Sequence, residues 1–275
     1  MPAPNFIKKI FANPTGEKIV LVFRNIPLLN HCAIACMPLH TFYQKETYRL
    51  VTRKGINYQL DLSDWVEWNI YFKNEVEPRE KLFSIVRHGM TVIDIGANVG
   101  EITLNMAKRV GENGKVFSFE PSSTNHHKCS RNISLNEPLI KTIELYSFGL
   151  GENTTSGFLE VNDKNNFGMN SISNSGEKIE LQKLDVVVIE KNISKIDLIK
   201  LDVEGYELKV LKGAEKSIKQ FHPKLFIELD NELLKKQGDS ALSLLNWLQE
   251  NDYKIIDPIL SAEELANGHF DIIAN

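Results

Sequence analysis

Two short stretches of this chain carry residues whose types and spacing suit chemistry. The first lies in residues 91–120, TVIDIGANVGEITLNMAKRVGENGKVFSFE. A brief apolar run enters the turn Gly96-Ala97-Asn98-Val99-Gly100, and Glu120 closes the apolar run that follows. A glycine has no Cβ, so Gly96 and Gly100 open backbone to a ligand. Free N–H groups at the start of the next helix favour a polar or anionic group, and an acid ending the neighbouring strand can accept hydrogen bonds from two ribose hydroxyls. The pattern points to a nucleoside-containing cofactor. The dinucleotide fingerprint is G-x-G-x-x-G, whereas this turn reads D-x-G-A-N-x-G with Asp94 in front. Asp94 would repel a pyrophosphate but can help to organise a cofactor with an amino-acid end, such as S-adenosylmethionine.

The second stretch is residues 196–205, IDLIKLDVEG. Residues 197–201 read as a buried strand, which sets Asp202 and Glu204 at its carboxyl end, the edge where ligands bind in open α/β sheets. Residues 224–229 read as the next strand and end among Glu228, Asp230 and Asn231. Several carboxylates therefore reach one edge from adjacent strands.

The elements that must position these groups follow from periodicity. Residues 91–95 have the β-branched composition of a buried strand, and Ile102, Met106 and Val110 recur at helical spacing over residues 101–110 before Gly111 stops the helix. A second strand runs over 116–119, a crossover helix over 123–135, and a third strand over 143–148, followed by the loop 149–152. His126 and His127 fall on the crossover helix and read as surface residues. The alternation then breaks into two strand-like segments, 157–161 and 178–184, separated by the polar stretch 165–171. That stretch is either a solvated excursion or a lid that excludes water from a reacting centre. After the acidic edge come a helix over 206–220, another over 240–250, and last strands over 253–256 and 270–273, joined by a polar connection over 258–268.

Ahead of this alternation, residues 47–62 read as a β-hairpin turning at Lys54-Gly55. Ser63 or Asp64 can cap a helix carrying Trp65, Trp68, Ile70, Tyr71 and Phe72. These aromatics belong to a core or present a face on which a sugar ring stacks. A further helix opens at Glu77-Pro78 and ends at His88-Gly89. The expected division is an N-terminal extension over 1–46, a hairpin and helix cap over 47–80, and a main domain over 81–275. The extension reads as a packed segment, with a membrane-surface contact or an oligomer seam as alternatives.

At 275 residues the chain can bury a full core, and its net charge of −4 does not advertise nucleic-acid binding. Cys32, Cys36 and Cys129 make an odd set without paired metal spacing, which suits a reducing cytoplasm. No apolar run reaches the length of a membrane-spanning helix.

The order VIDIGANVG, FEPSS, GMNSIS, IDLIKLDVEGYELKVLKGAE and PKLFIELD resembles the FkbM-type family of S-adenosylmethionine-dependent methyltransferases, over roughly residue 47 to the end. The resemblance implies a Rossmann-like class I α/β fold, with a seven-stranded, mostly parallel sheet flanked by helices. It implies methyl transfer to a hydroxyl of a sugar, glycan or polyketide-type natural product, with a nucleic-acid (RNA) methyltransferase as the alternative. Asp94, Gly96, Ala97, Asn98, Gly100, Glu120, Pro121, Phe148 and Gly149 would then bind the cofactor. Asp202, Glu204 and Glu228 would serve the transfer centre, one of them as a base if desolvation raises its pKa. A metal-dependent variant would place Mg²⁺ on Asp202, Glu228 and Asp230. The expected partner is a small-molecule or glycan hydroxyl acceptor, and a homo-oligomer is compatible with the sequence.

Overall fold

The computed structural model describes residues 3–72, 77–163, 166–266 and 268–275. The chain divides into two compact units, residues 1–75 with 163–167, and residues 76–162 with 168–275.

The first unit contains helices α1 (Asn5–Ile10), α2 (Pro14–Arg24) and α3 (Pro27–Cys36), strands β1 (Tyr48–Arg53) and β2 (Ile56–Asp61), and helix α4 (Trp65–Phe72). Asn13 caps α2 by accepting from the Gly16 N–H at 3.0 Å. β1 and β2 pair antiparallel around Lys54 and Gly55, both at positive φ, as a tight hairpin requires. Asp64 accepts from the Glu67 N–H at 3.0 Å at the head of α4. Trp68, Ile70, Tyr71 and Phe72 are buried, so this aromatic spacing serves packing, while Trp65 is exposed. Glu17 is fully buried and takes a bidentate fork from Arg49, at 2.7 and 3.0 Å.

The second unit runs α5 (Glu77–Ile85), β3 (Thr91–Ile95), α6 (Glu101–Val110), β4 (Lys115–Phe119), α7 (Ser123–Ser134), β5 (Ile143–Tyr146), β6 (Gly149–Leu150), β7 (Thr155–Asp163), β8 (Asn166–Ser173), β9 (Glu177–Gln182), α8 (Leu184–Glu190), β10 (Leu198–Leu201), α9 (Glu207–Gly213), α10 (Glu215–Phe221), β11 (Lys224–Asp230), α11 (Asn231–Lys236), α12 (Ala241–Glu250), β12 (Ile255–Asp257), α13 (Ala262–Ala266) and β13 (His269–Ala274). Its main sheet has seven strands in the order β12-β13-β11-β10-β3-β4-β5. β11, β10, β3, β4 and β5 are parallel, and β13 is antiparallel to both β11 and β12. Val92, Ile93, Ile95, Leu198, Ile199, Leu201, Leu225, Ile227 and Leu229 are buried, which explains why these strands read as apolar runs rather than alternations. The chain leaves β3 toward β4 and β5, then returns to β10 on the other side. The crevice at this reversal is where an open α/β sheet binds ligand.

Four local expectations change. The described part of the polar stretch 165–171 is strand β8, which joins β7 in a second sheet ordered β6-β9-β7-β8; Asn165 itself lies outside the described residues. Pairing with a neighbour overrides the weak strand propensity of its Asn, Gly and Ser residues. The expected helix over 206–220 is two helices, because Ala214 leaves helical geometry at φ −110°, ψ 6°. Phe148 lies past the end of β5, and the connection 258–268 contains the short helix α13.

Candidate active site

The turn after β3 is pinned to β4. The N–H groups of Gly96 and Ala97 both donate to the Phe119 carbonyl at 3.0 Å. Gly96 has φ +84°, and a Cβ there would stand 2.0 Å from the Asp202 carbonyl oxygen, so only glycine lets the β3 and β10 loops meet backbone to backbone. Gly100 has φ +88°, and a Cβ on it would lie 2.7 Å from Cys129 Sγ, so glycine there lets α7 pack against the turn.

Glu120 follows β4 and is held by backbone. Its Oε2 accepts from the Asn98 N–H at 2.7 Å and its Oε1 from the Ser122 N–H at 3.0 Å. Burial pushes the carboxyl up to about 7, against the two N–H groups that favour its charged form. Asn98, at φ +50°, holds a buried Oδ1 with no hydrogen-bond partner. An acid with spare lone pairs beside an orphaned amide oxygen is a donor-seeking surface, and it fits the hydroxyls and N–H groups of a nucleoside.

The opposite wall is built from charge. Lys200, 3% exposed inside β10, lies 3.3 Å from both Asp94 Oδ1 and Asp202 Oδ2 and donates to the Gly96 carbonyl at 2.9 Å. Burial works against its charge, but Asp202 and Asp94 outweigh burial and hold the ammonium above its ordinary range. Asp94 is fully buried, takes the Thr103 hydroxyl at 2.6 Å, and is raised by desolvation in spite of Lys200. The Asp202 side chain is 44% exposed, and Lys200 outweighs the opposing effect of desolvation and keeps its carboxyl below the usual range. Glu228 is pushed up to about 9, first by the charge of Asp202 and then by burial, and it is hydrogen-bonded to Asp202. Behind it, His269 Nε2 lies 3.1 Å from Glu228 Oε1 and Nδ1 lies 2.9 Å from Asp230 Oδ2. Bonds to Glu228 and Asp230 overcome the opposing effect of burial and raise the imidazole to about 9. Asp202, Glu228, His269 and Asp230 thus form one connected row of polar side chains. Glu204 stands beside it at φ +54°, raised to about 8 by burial and then by the charges of Asp202, Glu207 and Asp230.

A cleft of about 640 Å³, partly open to solvent, joins these two walls. Of the residues singled out in the sequence, Gly96, Asn98, Glu120, Pro121, Gly149, Asp202 and Glu204 line it. Asp94, Ala97, Gly100, Phe148 and Glu228 do not; Asp94 and Glu228 act from behind lining residues. The rest of the lining includes Leu150, Leu159, Ile172, Leu181, Val203 and Tyr206. Lys200 and His269 contact these acids and were not among the residues singled out in the sequence. For Lys200 a signal existed: a lysine inside an apolar buried strand must have anionic partners. For His269 none did, since the bond to Glu228 depends on β13 lying antiparallel to β11.

The acids do not converge as metal ligands. Asp230 Oδ1 caps α11 through the Glu232 and Leu233 N–H groups, and Oδ2 is taken by His269. Among the described residues no group of three His, Cys, Asp or Glu side chains is placed to hold a metal ion. The set Asp202, Glu228 and Asp230 thus does not fit Mg²⁺ as arranged.

A seven-stranded sheet in this order, with a glycine turn after its central strand and an acid after the next, is the class I methyltransferase fold. Residues 94–255 match the family model described as the methyltransferase FkbM domain, and the chain belongs to that family. It is similar to methyltransferase sdnD of Sordaria araneosa, at 30% identity over 159 residues, covering 45% of this chain and 60% of that protein. It is also similar to methyltransferase 1 of Beauveria bassiana, at 26% identity over 174 residues, covering 54% of this chain and 67% of that one. Among solved structures, the methyltransferase FkbM from Methylobacillus flagellatus KT aligns at 20% identity and TM-score 0.46, over 75% of this chain and 51% of that chain. The chain thus spans less than two thirds of some of the relatives it matches. Among the described residues no helix is long and apolar enough to cross a membrane.

Proposed function

We propose that this chain transfers the methyl group of S-adenosylmethionine to a hydroxyl of a sugar, glycan or glycosylated or polyketide-type natural product. One observation carries the reading: a backbone-fixed acid, Glu120, and a titratable acid pair, Asp202 and Glu204, line the same cleft. Glu120 and Asn98 would hold the ribose, with the Gly149–Leu150 strand and Pro121 beside the base. Ionised Asp202 adds to burial in raising Glu204 and is the first cause of the rise of Glu228, so this wall presents a negative potential that a cationic sulfonium would relieve.

Bound S-adenosylmethionine supplies an electrophilic methyl group on its own leaving group. The protein then has to align an acceptor oxygen and take its proton, and alignment alone can be worth several kcal/mol, in the range of about 7–11 for ideal geometry. Asp202, kept ionised by Lys200, accepts a hydrogen bond from the acceptor hydroxyl and fixes its direction. Glu204, raised to about 8, has the basicity to remove the proton near neutral pH. Glu228 and His269 hold Asp202 in place.

The test is incubation with methyl-labelled S-adenosylmethionine and fractionated hydroxyl-bearing acceptors. Label in glycans or hydroxylated small molecules, lost in Glu204→Gln, supports the proposal. Label confined to nuclease-sensitive material contradicts it.

A further inference from the structure

The N-terminal helices carry large apolar side chains outward, interspersed with lysines, while their one acid, Glu17, is buried. On α2 the outward stripe is Thr15, Lys18, Ile19, Val22 and Phe23, at helical spacing, with Val22 59% exposed and Phe23 41%. Its inward side holds Glu17, buried against Arg49, while Arg24 donates to the Phe72 carbonyl. α1 repeats the pattern, with Phe6 69% and Ile10 64% exposed one turn apart, and Leu28 near the start of α3 is 91% exposed. Single exposed apolar residues are ordinary, but stripes on successive helices mark a surface that something covers.

Charge says what covers it. Residues 3–36 contain Lys8, Lys9, Lys18 and Arg24 against one acid, the buried Glu17, in a chain whose net charge is −4. Lys9 and Lys18 are exposed beside the apolar stripes. A second copy of the chain would bring these like charges face to face, which is unfavourable. We infer that this helical face docks on an anionic lipid surface, with Phe6, Ile10, Val22, Phe23 and Leu28 entering the headgroup boundary and the lysines meeting lipid phosphates. The inference is independent of the methyl-transfer reading.

The test is cosedimentation of the full chain with vesicles of phosphatidylcholine alone or with about one third phosphatidylglycerol. The expected result is binding roughly tenfold or more tighter to the anionic vesicles, weakened by about 0.5 M salt. Val22→Ser with Phe23→Ser, and separately Lys8→Glu with Lys9→Glu and Lys18→Glu, should each reduce it about tenfold or more with unchanged thermal unfolding. No sedimentation with either vesicle would overturn the inference. So would equal binding to neutral vesicles, or self-association that the Val22→Ser, Phe23→Ser variant abolishes in place of lipid binding.

Discussion

The two walls of the cleft are built on opposite principles. Glu120 is fixed by two backbone N–H groups, from Asn98 and Ser122, which no side-chain rearrangement can remove. Asp202 is fixed by other charges, Lys200 in front and Glu228 and His269 behind. The first arrangement suits a group that must bind the same cofactor in every turnover. The second suits a group that must exchange protons, because each member's charge depends on its neighbours. Substitutions should therefore act locally on the Glu120 wall and spread through the network on the Asp202 wall.

The largest break in that contrast is Lys200→Met. It leaves Asp94 buried without its counter-charge and should cost about 3–5 kcal/mol of stability, read from urea unfolding. Glu204→Gln should lower kcat roughly 100-fold while S-adenosylmethionine affinity changes less than about threefold, because it removes the proposed proton acceptor and leaves the Glu120 wall intact. Glu120→Ala should do the converse: affinity for the cofactor falls about tenfold or more, with little change in kcat at saturation.

pH sharpens the comparison. Glu120 and Glu207 are raised to about 7 and Glu204 to about 8, from an ordinary value of 4.5. The folded chain thus holds more protons than the unfolded chain between those values. Stability contributed by these groups is complete below about pH 4.5 and is lost as pH rises through about 7–8. The unfolding temperature of the free protein should therefore decline over this window, and bound S-adenosylmethionine should flatten the decline by stabilising the ionised acids. The smallest effect tests strain. Glu204→Gly removes a side chain from left-handed backbone and should raise stability by about 1 kcal/mol, roughly 2 °C in Tm, while abolishing the base.

The Glu120 wall was legible in the sequence because everything that makes it is local. Strand, turn, helix, strand and acid occur within residues 91–120, and α6 spans Glu101–Val110 where its periodicity places it. The seven-stranded sheet was likewise expected from the resemblance and is present. The Asp202 wall was only half legible. Asp202, Glu204 and Glu228 were visible as acids at strand ends, but which one would be a base depends on Lys200 and His269, brought close by strand pairing. The apolar wall of Leu159, Ile172 and Leu181 comes from the second sheet, whose β8 has a loop-like composition.

The most direct test of one cleft with two walls is calorimetric titration of S-adenosylmethionine into the wild type, Glu120→Ala and Glu204→Gln, with turnover measured on the same samples. The account predicts binding to the wild type and to Glu204→Gln, weak binding to Glu120→Ala, and turnover lost in Glu204→Gln despite intact binding. Absence of binding to the wild type, or wild-type affinity in Glu120→Ala, would contradict it.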